Sequence, residues 1–362
     1  MTSPTPETAY PIRRELVRTD RAFATATVRG DDALVICFSF HGTPRPGLGQ
    51  LGQLDQKHNF AFSIVDVACK MAFPNPVEDI TRLIAAVAEF ARGYRRVFTF
   101  GGSLGGFLAL NFASYFGAQT AIAASPPFAF NPAKVKTDTR WEKHTRSVTS
   151  FAWDNIEHGI TSLENIFVLY DPYNPDAPHI AAIKNVAPHT TLLPIRFGAH
   201  PVSKVLGQAN NLGPMISQIV DGTFDRASLR RAIVDSRPKS SVYLRTLAAA
   251  QPPRREQLRL RLLRKAHEVE PTTANALDML PTLIRLGRMD EVQAITKAVA
   301  DADSANTRQV RTLQKENAKL KSRVADLKRE IRTLEEDAEA LETSIVVELP
   351  TQTPAPRLAQ AS

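Results

Sequence analysis

A serine ringed by glycines, two loop carboxylates and one loop histidine follow each other in an order suited to nucleophilic chemistry. The segment Gly101-Gly102-Ser103-Leu104-Gly105 fits Gly-x-Ser-x-Gly, with strand-like Arg96-Val97-Phe98-Thr99-Phe100 before it and an apolar helical pattern after it. A strand–turn–helix of this kind forces the serine into a strained conformation that projects its hydroxyl, and small neighbours let the strand and helix come close. Serine is a poor nucleophile until a base takes its proton, and the base needs an acid to fix its tautomer. Beyond Ser103, carboxylates stand at Asp171 and Asp176 after the apolar run Asn165–Tyr170, and His200 follows the run Thr190–Ile195. His179 shares the acids' loop and His189 precedes its strand, which leaves His200 as the expected base. Asp176 is preferred as the acid, because a carboxylate needs some loop length to turn toward a histidine on the next loop. Asp171 stays as the alternative, and whichever is not used suits a turn, since Asp before Pro initiates one.

The transition state of acyl transfer also needs two backbone donors. Leu104 N–H, at a helix start directly after the serine, is one expected donor. The tight turn His41-Gly42-Thr43-Pro44 offers the other, with Thr43 N–H as the choice and His41 bracing the loop.

Such a set needs strand ends to hold it. Arg21–Arg29 alternates as a half-buried strand, and Ala33–Phe40 reads as a buried one ending at His41. A Gly- and Pro-rich loop runs to Gly52, a strand is expected over Phe60–Cys69, and a Pro-bounded helix over Val77–Arg92. A helix from Leu104 to about Phe116, a strand Gln119–Ala124, a helix Ile180–Val186 and a largely helical Val202–Val220, interrupted at Gly213-Pro214, continue the alternation. The fold class is therefore α/β, with a mostly parallel, doubly wound sheet whose catalytic loops gather at the strands' carboxyl ends. His41, Ser103 and Ser125 all fall on that edge. Residues 126–162 break the rhythm and interleave aromatics with Lys134, Lys136, Arg140, Lys143 and Arg146. They form either a cap that shapes a pocket or a surface excursion whose aromatics anchor it to the core.

Taken together, the His-Gly-Thr-Pro loop, Gly-Gly-Ser-Leu-Gly-Gly, the Asp-containing loop and Gly-Ala-His-Pro resemble the α/β-hydrolase superfamily, over roughly residues 20–235. The resemblance implies an eight-stranded, mostly parallel sheet and acyl-ester chemistry through a serine-bound acyl enzyme. It implies a cap between the Ala124 strand and Asn165. The expected activity is a serine hydrolase acting on a small-molecule, glycan or lipid acyl ester, without cofactor or metal. Two other readings share these residues: an acyltransferase in which a sugar or lipid hydroxyl replaces water, and a catalytically silent hydrolase-fold scaffold working through its C-terminal helix.

Composition sets the outer bounds. The chain has 362 residues, 43% hydrophobic and 23% charged, which suits a globular protein. Its net charge of +8 brings acidic partners into view, but no nucleic-acid-binding motif accompanies it, so nucleic acid is not an expected partner. Cys37 and Cys69 lie in apolar runs and read as buried, reduced thiols. No run approaches the roughly 20 apolar residues of a membrane span, and the first residues carry no signal-peptide core, so a cytoplasmic location is expected.

The expected organisation is a flexible lead-in over 1–20, the hydrolase domain over 21–235, a helical segment over 236–303, a coiled coil over 304–347 and a disordered tail over 348–362. The helical segment carries weak similarity to tetratricopeptide repeats at Ala266–Pro271 and Gly287–Glu291, with Pro281 interrupting it. From Val310 to Ile345 the heptads are clear: Leu313, Leu320, Leu327, Leu334 and Leu341 at d, Val310, Asn317, Val324, Ile331, Ala338 and Ile345 at a. β-Branched a positions with Leu at d favour two strands, so a homodimer or a helical partner is expected there. Parallel pairing sets Glu316 against Lys321 but leaves three like-charged pairs, antiparallel pairing sets the Lys321/Lys328 end against Glu335/Glu342, and the polarity stays open.

Overall fold

The computed structural model describes residues 12–39, 50–69, 77–131, 133–135, 140–145, 148, 151 and 153–346. The chain divides into two compact units, 1–288 and 289–362.

The first unit is built on eight strands: β1 Ile12–Arg18, β2 Ala22–Val28, β3 Ala33–Ser39, β4 Ser63–Cys69, β5 Arg96–Gly102, β6 Thr120–Ala124, β7 Asn165–Tyr170 and β8 Thr191–Pro194. They form one sheet in the order β1-β2-β4-β3-β5-β6-β7-β8. Only the β1–β2 and β2–β4 pairings are antiparallel; every pairing from β4 to β8 is parallel. This is a mostly parallel α/β sheet of eight strands, as the alternation of strands and helices implies. Ile12–Arg18, expected within a flexible lead-in, is instead an edge strand. Its sequence, Ile-Arg-Arg-Glu-Leu-Val-Arg, puts charge on the open edge, which protects that edge from pairing but hides the strand from a hydrophobic pattern.

The central strands are apolar on both faces because both are covered. Along β3, Leu34, Ile36 and Phe38 enter one core cluster while Ala33, Val35 and Cys37 enter the other. Burial, reinforced by the carboxylate of Asp66 on the neighbouring strand, pushes the Cys37 thiol well above its ordinary value and keeps it inert. The Cys69 side chain lies outside the described residues.

Helix α1 (Gln50–His58) begins within the stretch expected to be a loop to Gly52, and β4 begins at Ser63 rather than Phe60. Helices α2 (Val77–Ala91), α3 (Leu104–Asn111), α4 (Glu142–Thr145), α5 (Ile156–Gly159) and α6 (Ala177–Val186) follow. The expected helix over 202–220 is two, α7 (Ser203–Gln208) and α8 (Leu212–Val220). The break sits at Ala209–Asn211, and Gly213-Pro214 lies in the first turn of α8, where a missing N–H costs nothing.

Beyond α9 (Arg226–Ser236) come α10 (Ser241–Ala249), α11 (Glu256–Val269), α12 (Thr273–Leu277) and α13 (Leu280–Arg285). These do not form a segment apart from the sheet. Tyr243, Leu244 and Ala266 join the same core cluster as Val35, Phe100 and Leu169, so the compact unit runs on to Arg288. Pro281 stands in the first turn of α13, and the helix that a tetratricopeptide repeat would carry through it is divided into α12 and α13.

The second unit is dominated by α14, one helix from Met289 to Val346, which starts before the expected boundary at 304. Asp290 and Glu291 in its first turn complement the positive end of the helix dipole. Within it Leu320, Val324, Leu327, Ile331 and Leu334 are all exposed, by 41% to 67%. The residues over 348–362 lie outside the described part.

Candidate active site

The sheet reverses its strand order at β3, which has β4 on one side and β5 on the other. The crevice beyond the carboxyl ends of β3 and β5 is where open α/β sheets hold their ligands. Ser103 stands at that point, between β5 and α3, with φ 56° and ψ −123°. So strained a backbone costs on the order of 1–3 kcal/mol and survives only where its surroundings dictate it. Here they do: Ser103 N–H donates to Ala124 O at 2.8 Å, and Phe107 N–H to Ser103 O at 3.0 Å. The flanking glycines are required by space. A Cβ on Gly101 would lie 2.2 Å from Gly105 O, and one on Gly105 would lie 2.2 Å from Phe38 O.

Three of the sequence-predicted residues converge. Ser103 Oγ is 2.7 Å from His200 Nε2, and His200 Nδ1 is 2.8 Å from Asp176 Oδ2. With Nδ1–H donating to the carboxylate, Nε2 is left as the acceptor of the serine O–H. Asp176 occupies the N-cap position of α6, and its carbonyl accepts from Ile180 N–H at 3.1 Å, yet its side chain makes no capping hydrogen bond. Its carboxylate turns instead to His200 and, at 2.7 Å from Oδ1, to Arg140 Nη2. Asp176 is only 2% exposed at its side chain, and burial alone would raise its pKa. The hydrogen bonds and charges of His200 and Arg140 outweigh that cost and hold the carboxyl below its ordinary value.

Asp171 does something else. Its Oδ1 accepts from Tyr173 N–H at 3.0 Å and its Oδ2 from Ala199 N–H at 3.1 Å. It thus closes its own turn and ties down the residue before His200. Phe197 and Ala199 both have positive φ, 61° and 55°, so the histidine loop is itself a constrained backbone. Ser125, expected on the rim, is buried with φ 50°, and its Oγ accepts from Val202 N–H at 3.2 Å, bracing the start of α7. His179 lies within α6, 1% exposed, where its Nδ1 accepts from Phe128 N–H at 3.0 Å.

Leu104, expected as an oxyanion donor, is the first residue of α3, where N–H groups have no intrahelical acceptor. His41 and Thr43 lie outside the described residues. The stretch that carries them runs from β3 to α1, and the start of α1 is held by Asp66, which accepts from Leu51 N–H at 3.3 Å and Gly52 N–H at 3.0 Å.

Described residues of the segment over 126–162 make the anchoring contacts expected of a surface excursion. Its aromatics are anchors: Phe130 packs edge-on against Phe107 and Trp141, and Trp153 against Phe112. Asp154 gathers it further, accepting from Phe130 N–H at 3.0 Å and Asn131 N–H at 2.7 Å. One cation, Arg140, reaches the Asp176 carboxylate. Arg140 stands among several cations in a stretch of sequence with no hydrophobic period, so the residue pattern carries no signal for its partner.

Arg140→Gln is expected to destabilise the protein at neutral pH by about 3 kcal/mol, because it leaves a buried carboxylate without its cation. A carboxyl whose folded pKa is depressed lends stability above its unfolded value and loses it as pH falls through the folded one. The variant's carboxyl moves up, so its loss begins at higher pH, and the gap to the wild type narrows as pH falls from the variant's value towards the wild type's depressed one. Unfolding midpoints of both proteins between pH 3.5 and 7 measure this; a gap independent of pH would contradict it.

No protein-family model matches the sequence, and no curated protein matches it. Solved structures do resemble it. An esterase of Pyrococcus furiosus is 11% identical, over 61% of this chain and 94% of its own, with a TM-score of 0.41. A carboxyl esterase of the fungus Tuber melanosporum is 10% identical, over 62% and 90%, with a TM-score of 0.43. A thermophilic esterase of the planctomycete Thermogutta terrifontis is 18% identical, over 60% and 92%, with a TM-score of 0.42.

Proposed function

We propose that this chain is a serine hydrolase that cleaves an ester or related acyl bond through an acyl enzyme on Ser103. The observation that carries the reading is the unbroken line from Ser103 Oγ through His200 to Asp176, at 2.7 and 2.8 Å, mounted on a strained turn. In the first half-reaction His200 Nε2 takes the hydroxyl proton as Oγ adds to the substrate carbonyl. Asp176 keeps Nδ1–H oriented and stabilises the imidazolium. The negative oxygen that develops is held by Leu104 N–H and, in this reading, by Thr43 N–H; each such donor contributes about 10²–10³ in rate. His200 then gives its proton to the leaving alcohol, and water, activated by the same nitrogen, releases the acid and restores Ser103. A fluorophosphonate probe tests the assignment: it should label the wild type and not Ser103→Ala. Equal labelling of both, or of neither, removes it.

The second part of the proposal concerns α14. Its exposed stripe of Leu320, Val324, Leu327, Ile331 and Leu334 recurs in heptads and pairs with the same stripe of a second copy. Each such side chain gains about 1.5–3 kcal/mol on full burial. Leu327→Lys with Leu334→Lys should halve the mass of the full chain in sedimentation. A wild type that sediments as one chain at tens of micromolar would rule the pairing out.

A further inference from the structure

A cavity of about 620 Å³ opens between the loop carrying His200 and the helices α10, α11 and α13. That is within the roughly 300–1,000 Å³ of small-molecule sites. Ala199 and His200 line it, and Val242, Ala249, Leu263 and Pro281 supply apolar surface. The helices beyond the sheet therefore border the same histidine that faces Ser103.

The charges around this cavity do not balance. Arg245 is paired with Asp278. Arg259 and Arg285, however, share the single carboxylate of Glu256, both at 2.9 Å from the same oxygen. Arg259 is further committed to the Ala248 carbonyl at 3.1 Å. Lys204, exposed on α7 at the cavity wall, has no carboxylate partner within 4.0 Å among the described residues. Two cations over one glutamate, plus an unpaired lysine, leave the cavity with excess positive charge beside apolar wall. Such a lining is matched by a short hydrocarbon chain that ends in a carboxylate or phosphate, whose oxygens take charge-assisted hydrogen bonds from Lys and Arg.

We infer that this cavity is a subsite for the anionic end of the substrate, so that the preferred ester carries a carboxylate or phosphate on a short apolar arm. The inference rests on the serine-hydrolase reading: the scissile carbonyl sits at Ser103 Oγ and the arm passes His200 into the cavity. Lys204 is the cation left free to meet the anion, with Arg285, bound to Glu256 at 2.9 and 3.2 Å, beside it in the same lining.

Two esters of equal length separate charge from size: p-nitrophenyl butyrate and the p-nitrophenyl monoester of succinic acid. The wild type should favour the succinate by roughly ten- to a hundred-fold in kcat/KM, mostly through KM, with the preference shrinking as salt is raised. Lys204→Glu alters an exposed side chain, so its circular dichroism should match the wild type while the preference disappears. Octyl phosphate, but not octanol, should protect Ser103 from fluorophosphonate. If Ser103 is labelled while neither charge preference nor phosphate protection is seen, the subsite is refuted and the hydrolase reading stands. If Ser103 is not labelled, the hydrolase reading falls. Calorimetric binding of octyl phosphate that is lost in Lys204→Glu would then still support an anion site, and no binding would refute it.

Discussion

Ser103→Ala is expected to lower kcat for an activated ester by about 10⁶-fold while leaving the protein folded. The size follows from the geometry: the substitution removes the atom that forms the bond, and His200 is left with no hydroxyl to activate. The fold should survive because the strain at residue 103 belongs to the backbone. An alanine at φ 56° meets the same neighbours as the serine, and Ser103 N–H still reaches Ala124 O. Residual acceleration of about 10³–10⁴ over water is expected from the oxyanion donors and substrate binding alone. Initial rates with a p-nitrophenyl ester, alongside a thermal melt, measure both halves. A variant that retains more than a few per cent of wild-type kcat would mean that another group attacks.

Asp176→Asn and Asp171→Asn should behave differently. At position 176 the amide donates where the carboxylate accepts, which favours the wrong histidine tautomer and removes the charge facing the imidazolium. A loss of about 10⁴ in kcat is expected. At position 171 the buried carboxylate accepts two backbone N–H groups, and an amide keeps one of them. The expected cost there is stability, about 1.5–3 kcal/mol, with a smaller loss of rate from a loosened His200 loop. Comparing kcat and urea midpoints for the two variants decides between them. A larger kcat loss at 171 than at 176 would reverse the assignment of the acid.

Much of this arrangement was legible in the residue order. The alternation of apolar runs foretold the parallel sheet, because strands covered on both faces must be apolar on both, as β3 is. The glycines at 101 and 105 announced a backbone approach too close for any Cβ. The order serine, acid, histidine after the ends of β5, β7 and β8 brings Ser103, Asp176 and His200 to one edge. Strand β1 is not legible in the residue order because it is exposed and rich in charge, nor is α1, which starts in a glycine- and proline-rich stretch. The helices from α10 to α13 looked like a separate segment because chain order does not reveal which apolar face covers which.

Sequence by itself determined which residue types reach the sheet's carboxyl edge and that the last long helix carries a heptad stripe, since both are local periodicities. Tertiary structure alone decided which aspartate faces the histidine, which cation of an irregular segment meets that aspartate, and that α10, α11 and α13 wall a cavity at His200. The physical reason is common to all three. Each depends on groups distant in sequence being brought together, where a shift of one residue in a loop, or one turn in a helix, exchanges the partner without changing any local pattern.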